Sequence, residues 1–166
     1  MAERLQTDRL LPSLLDRLTD DAPDGARESS DRLTISLSDY KEGVRRDLEW
    51  LFNSQGRLAS LAEDVPAEVR RSVLQFGVPN LCGRNASSLD AEAIEQGMLE
   101  AIRAFEPRVV RDSVTVKVRT DADRTGEQAL AIDIEADLWT HPGTEPVLIR
   151  TRVDLETGRA EVGMVS

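Results

Sequence analysis

The chain contains one cysteine, Cys82, and one histidine, His141, in 166 residues. A single thiol excludes an internal disulfide and any zinc site built on cysteines. A lone histidine leaves a Ser/His or Cys/His catalytic pair with one candidate base. Aromatic residues make up only 4% of the chain, little for the stacking surfaces a sugar-cleaving cleft usually offers. No apolar run approaches the ~18 residues that mark a membrane-spanning helix. Positive charge is scarce as well. Lys and Arg number 21 against 31 Asp and Glu, a net charge of −10, whereas nucleic acid and anionic lipid both reward a basic face. These absences lead us to expect no cofactor or metal, no nucleic-acid partner and no direct membrane insertion. The stretch Met1–Arg9 is charged rather than signal-like, so the expected location is the cytoplasm.

A chain this long buries roughly 68–70% of its unfolded surface and needs no covalent staple. The first segment, Leu10–Leu18, spaces Leu11, Leu14, Leu15 and Leu18 for a helix, with Pro12 suited to its first turn. Asp20–Asp31 is rich in turn formers and charge and reads as a linker. Residues 1–31 are therefore expected to form an N-terminal docking helix with a flexible linker, and residues 32–166 the main domain.

A second helix is clearer. Tyr40, Val44, Leu48, Leu51 and Phe52 form one stripe, Ser38 is placed to cap it, and Glu42 with Arg46 and Arg45 with Glu49 stand at i,i+4. Trp50 lies off the stripe; it either seals the helix edge or awaits a partner. After Pro66 a short helix is expected to turn Val69, Val73 and Phe76 inward until Gly77 stops it. Ser87 with Asp90 resembles a capping box for a helix carrying Ile94, Met98, Ile102 and Phe105, closed by Pro107.

The apolar period then changes from 3.6 to 2, through Val114–Val118, Leu130–Leu138, Val147–Val153 and Ala160–Met164. The connections Asp121–Glu127, Thr140–Pro146 and Asp154–Gly158 are short enough for hairpins. On the opposite faces Lys117 and Arg119 are followed by Asp133, Glu135 and Asp137, then Arg150 and Arg152, then Glu161. Alternating signs favour sequential antiparallel pairing. The expected fold is α+β: N-terminal helices packed on one face of a C-terminal antiparallel four-stranded meander.

Signals for chemistry are poor. With 31 carboxylates, some pair at a catalytic-looking spacing is inevitable, and Glu135 between Asp133 and Asp137 reads as a salt-bridged wet face. Asp121-Ala122-Asp123 begins like a calcium loop and has Gly126 at position six. Ile132 stands at position twelve, where a glutamate is needed. No glycine-rich phosphate cradle exists. His141 precedes Pro142-Gly143 in a turn, and Cys82 reads as structural. One tripeptide, Glu106-Pro107-Arg108, stands at a helix end before the sheet. It is either an ordinary capping and ion-pair arrangement or a stiff corner whose carboxylate and guanidinium leave the surface in fixed directions to orient another subunit.

Three stretches, Tyr40–Asn53 (YKEGVRRDLEWLFN), Ser72–Leu81 (SVLQFGVPNL) and Phe105–Val109 (FEPRV), resemble in order and spacing the baseplate subunit family of type VI secretion, the TssE family. It is shared with the wedge and sheath-initiator proteins of contractile phage tails and has an old "lysozyme-like" label. The resemblance implies a structural, non-enzymatic protein. Its implied partners are the wedge proteins TssF, TssG and TssK and the sheath subunits TssB and TssC. Glu106, Pro107 and Arg108 are the implied wedge-contact residues, with Trp50 a further candidate contact. The meander's last strand, through Arg159, Ala160, Glu161, Val162, Gly163 and Met164, is expected to accept a sheath strand at its edge. A peptidoglycan hydrolase and a generic peptide-binding adaptor are the rival classes.

Overall fold

The computed structural model describes residues 10–19, 34–56, 66–70, 72–83, 89–119 and 129–165. The expected linker Asp20–Asp31, the capping residue Ser87 and the loop Asp121–Glu127 lie outside these residues. Four helices, α1 (Leu14–Leu18), α2 (Leu37–Phe52), α3 (Ala67–Arg70) and α4 (Ala91–Phe105), precede four strands. The strands are β1 (Thr115–Arg119), β2 (Ala129–Thr140), β3 (Gly143–Asp154) and β4 (Ala160–Val165), paired antiparallel in the order β1-β2-β3-β4. This is the α+β meander that the change of period predicts.

Helix α2 starts two residues earlier than the sequence suggests. Ser36, not Ser38, is the cap: its hydroxyl accepts from Asp39 N–H at 3.1 Å and donates to the Asp39 carboxylate at 2.7 Å. Ser38 has Lys41 three residues on, which cannot return that bond. The stripe is as expected, with Tyr40, Val44, Leu48, Leu51 and Phe52 buried. Of the two expected charge pairs, Arg45–Glu49 forms and Glu42–Arg46 does not. Arg45 binds Glu42 at i,i+3 and Glu49 at i,i+4, while Arg46 turns away from Glu42 toward Asp16 of α1.

Helix α4 is capped by Asp90 itself, whose carboxylate accepts from Ala93 N–H at 3.2 Å, and buries Ile94, Met98 and Ile102. After α3 the expected inward stripe fails. Val73 and Leu74 are 82% and 67% exposed, because Ser72 caps a 3₁₀ turn over Val73–Gln75 rather than a continuing α-helix. Phe76 stands edge-on to Phe105 with ring centroids 5.3 Å apart. Gly77 has φ +130, and a Cβ there would lie 2.3 Å from the Ser54 carbonyl oxygen, so the chain needs glycine at this approach.

In the sheet, Ile132, Ile134, Leu138 and Ile149 alternate inward against α2 and α4 and are essentially inaccessible. Each such side chain contributes roughly 1.5–3 kcal/mol on burial. On the open face Lys117 stands opposite Asp133, Asp133 opposite Arg150, and Arg152 opposite Glu161. The Asp133 carboxylate lies 3.4 Å from both Arg119 and Arg150. The connection expected over Thr140–Pro146 shrinks to His141-Pro142, joined by a cis peptide, because pairing continues to Thr140 opposite Gly143. Beyond β1, the partner of β2 is the segment after α4: Arg108 C=O accepts from Trp139 N–H at 2.7 Å and Val110 N–H donates to Asp137 C=O at 2.9 Å.

Candidate functional site

Two places on this frame carry the residues singled out from the sequence. The first is the corner after α4. Helix α4 ends at Phe105 and the next residues must turn to run beside β2, so Pro107 caps a tight bend. Glu106 does not project into solvent; it is 5% exposed. Its carboxylate accepts from Arg108 Nε at 2.7 Å and from Arg108 Nη2 at 2.6 Å, a bidentate pair, and from the Arg108 backbone N–H at 3.1 Å. Arg108 Nη2 also donates to Asp47 of α2. The two charges therefore close on one another rather than leaving the surface side by side, because a buried carboxylate requires a charged partner within reach.

The pairing continues past the corner. Arg46, next to Asp47, binds both that carboxylate (2.8 Å) and Asp16 of α1, and its guanidinium sits 5.1 Å from the centre of the Trp50 ring. Glu106, Arg108, Asp47, Arg46 and Asp16 thus alternate in sign across three elements, around a helix face opened by buried Gly43. Bonding to Arg46 and Ser13 outweighs burial and holds the Asp16 carboxyl below the ordinary carboxylate range. Burial alone would lower the Arg108 pKa; the bonds and charges of Glu106 and Asp47 reverse this and raise it above its ordinary value. Burial pushes up Tyr40, whose hydroxyl donates to Trp139 C=O at 2.8 Å.

An open groove of about 730 Å³ lies over this corner, lined among others by Trp50, Phe76, Pro107, Trp139 and Leu15. Helix α1 is shorter than the leucine spacing suggests. Ser13 rather than Pro12 sets its start, and it buries none of its own residues. Leu11, Leu14 and Leu18 are 66%, 70% and 74% exposed, and the buried leucine is Leu10, which bridges to Ile35. Trp50 is 49% exposed on the same side. Leu11, Leu14 and Trp50 line the groove, and exposed apolar side chains gathered in one place are what a partner surface offers.

The second place is the outer edge of β4, and it is not open along its whole length. Asp154 N–H donates to Arg159 C=O at 2.9 Å, so Glu161 and Gly163 bond inward to β3 while Ala160, Val162 and Met164 turn their backbone groups outward. The Asn53 side chain occupies both groups of Ala160, accepting from its N–H at 2.9 Å and donating to its C=O at 2.8 Å. Arg45 Nη1 donates to Val162 C=O at 3.1 Å. Among the described residues nothing pairs with Val162 N–H or with either backbone group of Met164. The ladder expected over Arg159–Met164 is thus half occupied by α2. On the β1 edge one group is taken: Val118 N–H donates to Glu95 of α4 at 2.9 Å.

The sequence singles out Glu106, Pro107, Arg108, Trp50 and the β4 residues; the structure joins to them Asp47, Arg46, Asp16, Asn53 and Arg45, which the sequence does not single out for a site. One signal was available: Asp47 has no opposite charge at i±3 or i±4 on its own helix, where Gly43, Val44, Trp50 and Leu51 stand.

The comparison with known families now bears on the corner and the edge. Residues 38–143 match the family model of the baseplate wedge protein gp25. The chain belongs to this family. The match runs from the first turn of α2 through the corner to the start of β3, so the gp25-family part holds both Glu106-Pro107-Arg108 and the helix that guards β4. A search of curated proteins and one of solved structures found no match. The family assigns a structural place in a phage-tail-like baseplate, in assembly with other tail proteins. The corner is consistent with that: Arg108 fills the space between the Glu106 and Asp47 carboxylates, where a glycosidase would have to seat its substrate. No described helix is long and apolar enough to cross a membrane.

Proposed function

We propose that this gp25-family chain is the TssE-type baseplate subunit of a cytoplasmic type VI secretion machine, a scaffold without catalysis. It engages wedge proteins of the TssF, TssG and TssK kind at the α1–Trp50–Pro107 groove and starts the sheath of TssB and TssC by accepting strands at the β4 edge. The observation that carries this reading is the ion-paired corner: Glu106 and Arg108, locked to α2 through Asp47, present exposed Pro107 beside Trp50 with little freedom left to lose on docking.

The corner also dictates the test. Arg108→Ala unpairs buried Glu106 and unsettles the monomer, so it does not separate binding from folding. Trp50→Ala and Pro107→Ala touch the groove from outside the ion pairs. Each is expected to reduce capture of purified wedge proteins at least tenfold with an unchanged unfolding midpoint. Undiminished capture by both variants overturns the groove as the wedge site.

A further inference from the structure

A sheet edge free to accept any strand is a hazard to a soluble protein, since it pairs with copies of itself as readily as with its partner. The β4 edge carries a device against this. Asn53, the residue closing α2, holds its side-chain amide in the plane of the sheet and bonds Ala160 on both sides, as a neighbouring strand would. The same amide donates to Glu49 C=O at 2.8 Å, which fixes its rotamer. Two turns and a little earlier on α2, Arg45 supplies the donor for Val162 C=O while bonded to Glu42 and Glu49. The edge then changes character: Met164, two residues further, has neither backbone group paired among the described residues. At the other margin of the sheet the carboxylate of Glu95 accepts from Val118 N–H.

We infer that Asn53 and Arg45 form a displaceable cap on β4. It leaves a short entry site at Val162 N–H and Met164 and exposes Ala160 only when an extended chain pairs from the Met164 end. This rests on the reading of β4 as the sheath-accepting edge, and it adds direction and a threshold. A chain offering a bond or two gains only the open positions. A longer extended chain, which continues past Met164 and Val162 to Ala160, repays the lost cap with its own main-chain bonds, so the edge selects length and extended conformation over sequence. The occupant is a β-strand segment of the sheath subunit.

The cap and the edge are tested separately on the whole chain. In Asn53→Ala, hydrogen exchange at the Ala160 amide is expected to accelerate about tenfold, while Glu161 and Gly163, bonded to β3, keep their protection. Binding of purified TssB–TssC sheath subunits is expected to tighten about tenfold in the same variant, since the incoming strand no longer displaces the amide. Val162→Pro removes an outward N–H without touching the β3 ladder and is expected to abolish sheath binding in both backgrounds. If Asn53→Ala speeds Ala160 exchange yet leaves sheath binding unchanged, the cap is not on the binding route and the inference falls. If Val162→Pro binds sheath undiminished, strand addition at β4 itself is wrong. A third variant, Asn53→Asp, keeps the acceptor for Ala160 N–H but sets a carboxylate against the Ala160 carbonyl; binding as weak as in the unsubstituted chain overturns the inference as well.

Discussion

Helices α1 and α4 both display apolar residues at helical spacing, and only one of them uses that spacing to reach the core. Helix α4 places Ile94, Met98, Ala101 and Ile102 under the sheet. Helix α1 buries nothing of its own and is held by Leu10 at one end and the Asp16–Arg46 pair along its flank. Area secures the first, and an ion pair positions the second. The difference separates what the fold requires from what it presents: leucines without a home in the monomer stand beside Trp50 at the groove.

Substitutions can widen or narrow that contrast. Ile102→Ala, at 1% exposure, should lower stability by about 3 kcal/mol through a cavity under α4, read as a reduced denaturant midpoint. Leu14→Ala in α1 should leave the midpoint unchanged. Arg108→Ala leaves Glu106 buried without its counter-charge; the expected loss is about 2–3 kcal/mol, with substantial recovery in the Arg108→Ala, Glu106→Gln double variant. Thr151 sits at 2% exposure among apolar neighbours with its hydroxyl unbonded. Thr151→Val should therefore raise stability by about 1 kcal/mol, visible as a higher melting temperature.

The smallest effects belong to α1. Asp16→Asn should cost under about 1 kcal/mol globally yet change the emission of Trp50, best read in a Trp139→Phe background, because Arg46 is freed to move against the ring. The same signal should titrate. The docked Asp16 carboxyl lies below its ordinary value, so its contribution is fully present above the undocked pKa near ~3.9. It declines as pH falls through that value toward the docked one. A Trp50 signal flat across this range would remove Asp16 as the tether.

The contrast also shows where the sequence was legible. Alternation placed all four strands, because a sheet with one buried face imposes a period of two, but not the ends of β2 and β3, which pair on to Thr140 and Gly143. The α2 stripe was equally plain. The α1 leucines announced a helix but not its extent or what covers it, because periodicity reports only an apolar face. Val73 and Leu74 misled because Ser72 starts a different turn. At the site, Glu106-Pro107-Arg108 was conspicuous as a tripeptide, but its inward closure was hidden. Asp47 sits 61 positions from Arg108, and only the packed helix brings them together. Asn53 was harder still, since an asparagine at a helix end reads as a local cap whether or not its amide also reaches a strand.

Helix α2 touches both working places. Asp47 holds the corner and Asn53 the β4 edge, six positions apart on one rod, which at 1.5 Å per residue is about 9 Å. The β2–β3 ribbon, 12 residues in each strand, ties the same two places along the sheet. Tension applied at the corner and resisted at β4 therefore runs along continuous helix and lengthwise through a ladder whose bonds share it, rather than peeling them one after another. Under the proposed function, such wiring makes the domain a strut between its two neighbours.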